Sequence, residues 1–187
     1  DNGLALLASG LISNGHEATI LDYNTVDSIR RLFPSQPTDN NKGILSQPTG
    51  SANALQIKDA TVIAREINDL ASSIKADFVG FKLWTGAGFT GSVTIAEELR
   101  RLSPHLHLFA GGPHVYSFED MIFDVTEAFE VLVCGEGEDS ILVLAAYSEG
   151  KASLCDIPNA LYKQDGNTIR TAEKRVSDLD ALPFPLY

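Results

Sequence analysis

Hydrophobic and polar positions change period several times along this chain. Over residues 57–74, Ala60, Ile63, Ala64, Ile67, Leu70, Ala71 and Ile74 recur at i, i+3, i+4 and i+7. That spacing predicts an amphipathic helix. Residues 3–15 also carry a helical pattern, and Gly15 closes it. Short apolar, β-branched runs at 17–23, 77–83, 106–110 and 129–134 predict strands. Further helices are predicted over 91–102, with Ser92 as candidate N-cap, over 117–125, with Ser117 as candidate N-cap, and over 138–150, ending at Gly150. Nearly continuous apolar strands separated by helices indicate a parallel sheet covered on both faces. The expected class is therefore α/β, a flavodoxin-like (Rossmann-like) doubly wound sheet. Because the chain opens on a helix, the expectation includes a first strand upstream of Asp1 and a usual 2-1-3-4-5 strand order that lacks an inner member.

Two segments break the alternation. Residues 34–56 hold Pro34, Pro37 and Pro48 among small polar residues, and predict an irregular insertion. After Gly150, residues 160–171 alternate around Asp165-Gly166, a β-hairpin signal. Residues 176–187 are Pro-bearing and aperiodic, as in a linker to a further domain. The expected organisation is an α/β domain over 1–150 and a hairpin appendage with linker over 151–187.

Ligands of open α/β sheets bind at the carboxyl ends of the strands, and three such ends are unusual here. The first, 82–92, holds Trp84, Thr85 and Gly86; the second, 110–114, holds Gly111, Gly112, Pro113 and His114; the third, 134–139, holds Gly135, Glu136, Gly137 and Glu138. Glycine permits positive φ and leaves no Cβ in the way of a ligand. Each loop taken alone also reads as a turn. Together on one rim they would make a broad, backbone-lined platform, suited to a large flat molecule. None matches the dinucleotide or P-loop glycine patterns. Trp84 reads either as core or as a cofactor shelf. For His114 a loop role is favoured over metal ligation, since no second His or Cys stands at ligand spacing. Glu136 and Glu138 read as an acid/base pair or, preferably, as complements to a helix dipole that accept backbone N–H bonds. No nucleophile–base–orienter set is present, so no catalytic or metal-ligating residue is assigned.

Charge narrows the partners. The chain carries 25 acidic residues against 14 basic ones, a net charge of −11. Phosphate backbones need clustered Lys and Arg, so nucleic acid is an unsuitable partner. Residues 102–150 contain no Lys or Arg. No apolar run reaches the roughly 20 residues of a membrane span, and the start of the chain does not read as a secretory signal, with no basic leader before an apolar stretch. Two cysteines, Cys134 and Cys155, make neither a disulfide framework nor a zinc site, so a reducing, cytoplasmic setting is expected.

The stretches "GLALLASGLISNGHEATILDYN", "ADFVGFKLWT", "FAGGPHVYSFEDMI", "VLVCGEGEDSI" and "VSDLDALPFPLY" resemble the N-terminal cobalamin-binding domain of cobalamin-dependent radical SAM enzymes. That family includes methyltransferases and the anaerobic magnesium-protoporphyrin monomethyl ester cyclase. The resemblance implies a corrin over the strand ends, with its nucleotide tail running into the sheet near Gly111 and Gly112. It implies that the Trp84–Thr85 loop faces the corrin or its tail and that Gly135 to Glu138 form the neighbouring wall. It also implies a C-terminal radical SAM domain in the same parent chain, acting on a small-molecule substrate by methyl transfer or oxidative cyclisation. The D-x-H-x-x-G motif is absent, so cobalt would lack a histidine from this chain. C-x-x-x-C-x-x-C is absent too, so a [4Fe–4S] cluster and S-adenosylmethionine are expected only in the remainder of the parent. The alternative is a cofactor-free docking or dimerisation module with the same fold.

Overall fold

The computed structural model describes residues 2–23 and 52–185. Its order is α1 (Asn2–Ser13), α2 (Ala52–Ile74), β1 (Phe78–Lys82), α3 (Ala87–Leu102), β2 (His107–Gly111), α4 (Pro113–Phe118), a 3-10 turn (Glu119–Asp124), β3 (Val131–Val133), α5 (Glu138–Ser148), a second 3-10 turn (Leu154–Asp156), β4 (Ala160–Gln164) and β5 (Asn167–Arg170). The five strands form one sheet in the order β1-β2-β3-β4-β5. The first three are parallel, and β4 and β5 continue the sheet antiparallel. The chain is thus α/β with a mixed sheet and a flavodoxin-like arrangement of helices.

Strand parity assigns the two faces. Val79, Phe81, Leu108, Ala110, Leu132 and Leu161 point to one side, where they pack with α2 and α3 through Ala64, Ile67, Val93, Ala96 and Leu99. Phe109, Val131, Val133, Ala160 and Tyr162 point to the other, against Ile141 and Leu144 of α5, and α1 packs on α5. Helices therefore cover both faces. The hairpin belongs to the same core: Leu161 is buried in one cluster and Tyr162 in the other. Full burial of a leucine is worth about 1.5–3 kcal/mol, enough to tie the hairpin to the sheet.

Several predicted elements differ. Residues 17–23 form no strand; Ile20 and Leu21 are exposed, and no described strand offers them a ladder. The predicted 34–56 insertion lies outside the described residues as far as 51, and 52–56 already belong to α2. Helix α3 starts at Ala87 with Gly86 as N-cap, so Ser92 is interior. The helix expected over 117–125 starts instead at Pro113, with Gly112 as N-cap. It passes into a 3-10 turn at Glu119, whose φ of 48° interrupts the α geometry. Ser117 donates to the carbonyl of Pro113 at 3.0 Å rather than capping. Proline at the first helical position is pre-set for that role and gives up only an N–H with no intrahelical partner.

Candidate functional site

In-register parallel pairing aligns Lys82 with Gly111 and Gly111 with Val133. The loops that follow β1, β2 and β3 consequently leave one rim side by side. Trp84–Gly86, Gly111–His114 and Gly135–Glu138 are brought together there.

The elbow after β2 is bare for a reason internal to the fold. The Leu83 N–H donates to the carbonyl of Gly111 at 2.8 Å, and the His114 N–H donates to the carbonyl of Leu83 at 3.2 Å. These bonds draw the two loops together at Gly112, which has φ 104° and ψ −174°. A Cβ there would sit 3.1 Å from the Leu83 oxygen and 3.1 Å from Lys82 Cγ. Gly112 is thus required by the neighbouring strand end. At Gly111 a Cβ would meet only Val133, at 3.6 Å or more.

His114 lies beneath the elbow rather than on its surface. Its ring stacks on Phe89 at 3.9 Å and on Phe118 at 4.4 Å between centroids. Its Nδ1 is buried without a hydrogen-bond partner among the described residues, and burial lowers its pKa. This is a packed, neutral imidazole. Among the described residues no group of three His, Cys, Asp or Glu is placed to hold a metal ion.

Trp84 is 49% exposed, which removes the core reading of this side chain. The Lys82 ammonium lies 4.8 Å from its ring centroid, a cation–π contact. Thr85 and Gly86 are exposed beside it. Gly86 and Gly135 have φ values of 67° and 123°, and a Cβ on either would meet nothing within 4 Å.

The third loop is divided between rim and tail. The carbonyl of Glu136 accepts a bond from Asn159 Nδ2 at 2.8 Å, and its carboxylate accepts one from the Val176 N–H. Asn159 also binds Lys174 through both backbone groups, each at 2.7–2.8 Å. Glu136 therefore anchors the segment after the hairpin and is no general base. Gly137 abuts Leu7 of α1 at 3.4 Å from a would-be Cβ. Glu138 opens α5 and keeps Oε2 buried, with no hydrogen bond to it among the described residues. It borders a groove of about 350 Å³ between α1, α5 and residues 174–183. Cys134 is half-buried with Sγ 3.6 Å from Glu119 Oε1. Burial foremost pushes its pKa up, although Arg170 opposes this. The thiol stays protonated and is no nucleophile.

Sequence reasoning missed one feature. Gly80 and Lys82 share the α5-facing side of the sheet with Phe109 and Gly111. Gly80 is exposed, and among the described residues no atom lies within 4 Å of where its Cβ would be. Gly80 and Gly111 lie diagonally across the β1–β2 ladder, with the buried Phe109 and with Lys82, respectively, as their register partners on the same face. The available signal was a glycine in the interior of a strand, which marks a close approach by something else.

No protein-family model and no curated protein matches the chain.

Proposed function

We propose that this chain is a cobalamin-binding module of a larger radical SAM enzyme that performs methyl transfer or oxidative cyclisation. The observation that carries the reading is the parallel register that sets three glycine-bearing loops side by side on one rim, with Gly80 exposed on the adjoining sheet face. Gly80, where among the described residues nothing lies within 4 Å of a would-be Cβ, leaves room for the nucleotide tail, and the exposed loop backbone around Gly86 and Gly135 suits the side amides of a corrin, which both donate and accept hydrogen bonds. The residues that would hold the cofactor are Trp84, Thr85 and Gly86, Gly111 to His114, and Gly135 to Glu138, with Gly80 as part of the floor. Within these sets Gly112, His114 and Glu136 shape the walls from behind through the contacts described above. Bound cobalamin supplies a cobalt centre for the parent's chemistry; this chain's residues bind and orient it. Cys134 and Cys155 are too few for a [4Fe–4S] cluster, so that cluster and S-adenosylmethionine belong to a C-terminal radical SAM domain of the same parent. No helix among the described residues is long and apolar enough to cross a membrane.

The test is to incubate the full-length protein with hydroxocobalamin and pass it through gel filtration. About one equivalent of corrin absorbance per chain should co-elute; corrin-free protein would overturn the reading. A cofactor-free docking module is the second reading. It is favoured by Tyr116, Phe118, Met121 and Val125, large apolar side chains exposed on α4 and the turn after it. Corrin-free protein that self-associates, and loses that association in Tyr116→Ser with Met121→Ser, would establish it instead.

A further inference from the structure

We propose that Asn159 is the positioning residue of the third rim loop and links cofactor binding there to the order of the segment after the hairpin, an inference that rests on the cobalamin reading. Asn159 stands at the entrance to β4 and is buried. Its φ of 58° is a left-handed conformation that asparagine tolerates. Hydrogen bonds reach it from the end of β3, from the third loop and from residues 172–174.

Two of these bonds bracket the loop. The Asn159 carbonyl accepts the Cys134 N–H at 2.8 Å, and its Nδ2 donates to the Glu136 carbonyl at 2.8 Å. One residue thus holds the chain on either side of Gly135, whose φ is 123°. Gly135 is exposed, and among the described residues its own N–H and carbonyl meet no hydrogen-bond partner. Those are groups that corrin amides can pair with, and Asn159 fixes the peptides that flank them. Groups held in place beforehand lose less freedom when a ligand arrives.

The remaining bonds run to the tail. Nδ2 also donates to the Lys174 carbonyl at 2.8 Å, and Oδ1 accepts the Lys174 N–H at 2.7 Å. The Asn159 N–H donates to the Ala172 carbonyl at 3.1 Å. An amide nitrogen carries two hydrogens; here one goes to the loop and the other to the tail. Turning the amide over would aim its oxygen at two carbonyls, so the network admits only this orientation. The Glu136 carboxylate closes the circuit by accepting the Val176 N–H. Loop and tail therefore hold one another. A ligand that orders the loop also orders the tail, and by linkage an ordered tail strengthens the ligand's binding by the same factor.

The experiment measures hydroxocobalamin affinity and amide hydrogen exchange in the full-length protein, in Asn159→Gly and in Arg100→Met. Glycine keeps the left-handed backbone and removes the side-chain bonds to Glu136 and Lys174. Arg100→Met is the control for lost stability alone, because Arg100 bonds to the segments entering β2 and β3, at the strand ends away from the rim. In wild type the cofactor should slow exchange at residues 174–176 and leave the Leu154–Asp156 turn unchanged. Asn159→Gly should bind cobalamin on the order of 10-fold more weakly and lose the effect at 174–176, whereas Arg100→Met should keep both. Urea midpoints check that each variant folds. If Asn159→Gly does not, Asn159→Asp takes its place with the same expected result, since it keeps the acceptor for the Lys174 N–H and loses both donated bonds. Wild-type affinity in the Asn159 variant, an equal loss in Arg100→Met, or wild-type exchange at 174–176 that ignores the cofactor overturns the proposal and leaves the cobalamin reading intact. Wild-type protein that binds no corrin overturns both.

Discussion

Gly112→Ala tests the explanation of the elbow, because two costs coincide at that residue. Its φ of 104° with ψ of −174° lies in a region that side-chain-bearing residues rarely adopt, which costs about 1–3 kcal/mol. Independently, the new methyl would stand 3.1 Å from the Leu83 carbonyl oxygen and 3.3 Å from the Leu83 nitrogen. Those are backbone atoms tied into the bonds between Leu83 and residues 111 and 114, so they cannot swing away. Overpacking of this kind adds about 1–3 kcal/mol. The sum, roughly 4 kcal/mol at mid-range, divided by a urea m-value of about 2 kcal/mol/M, lowers the unfolding midpoint by about 2 M. Gly111→Ala is the matched control. Its Cβ would make ordinary contacts with Val133 at 3.6–3.7 Å and needs no positive φ. It should leave the midpoint unchanged or raise it slightly, since alanine restricts the unfolded chain. Urea unfolding followed by circular dichroism reads both. If Gly112→Ala unfolds within about 0.5 M of wild type, the elbow is not held by Leu83 and its bareness needs another cause.

Three further outcomes follow from the same contacts. The lowered pKa of buried His114 means that the unfolded chain binds a proton more readily than the folded one. The associated stability is complete above the unfolded pKa of about 6.5 and is lost as pH falls through the lower folded value; urea midpoints between about pH 7 and pH 5 should therefore drop less in His114→Phe than in wild type, and equal slopes would refute this. Glu136→Ala removes the acceptor of the Val176 N–H, so limited proteolysis should cut residues 174–185 faster while the unfolding free energy falls by only about 1 kcal/mol; unchanged cleavage would show that the segment is held without Glu136. Arg100 donates to the carbonyls of Pro104, Leu106 and Ala128 and to Glu130 at 2.8–3.3 Å; Arg100→Met should cost about 1–3 kcal/mol in urea unfolding, and a loss under 0.5 kcal/mol would contradict its role in joining α3 to the β2 and β3 entrances.

Periodicity made most elements legible because it reports which face of each element is covered. The helix repeat over 57–74 and the apolar runs around Val79, Leu108 and Leu132 lie on the surfaces that pack together. The same local pattern failed at 17–23, where Ile20 and Leu21 have strand-like chemistry but no described neighbour to pair with. Pairing is a property of two segments, and one segment's composition cannot report it. The start of α4 was misplaced at Ser117 because a serine N-cap is a visible signal, whereas Gly112 capping Pro113 depends on a close approach by Leu83. The site shows the same division. The glycine loops could be found from their composition, and their side-by-side placement follows from parallel pairing. Gly80 and Lys82 could not be found that way: their placement beside Phe109 and Gly111 depends on the register of β1 against β2. Glu136 looked like a possible acid or base, and only the folded course of residues 174–176 identifies it as an anchor.

The most direct measurement is equilibrium binding of hydroxocobalamin to the full-length protein and to its Gly80→Val variant, each with its urea midpoint. Valine suits a strand and, among the described residues, meets nothing within 4 Å at Cβ, so the midpoint should hold or rise, while the new side chain fills the space over Gly80 and abolishes binding. Stoichiometric binding by wild type and none by a stable Gly80→Val is the expected result; equal binding by both, or none by either, contradicts the account.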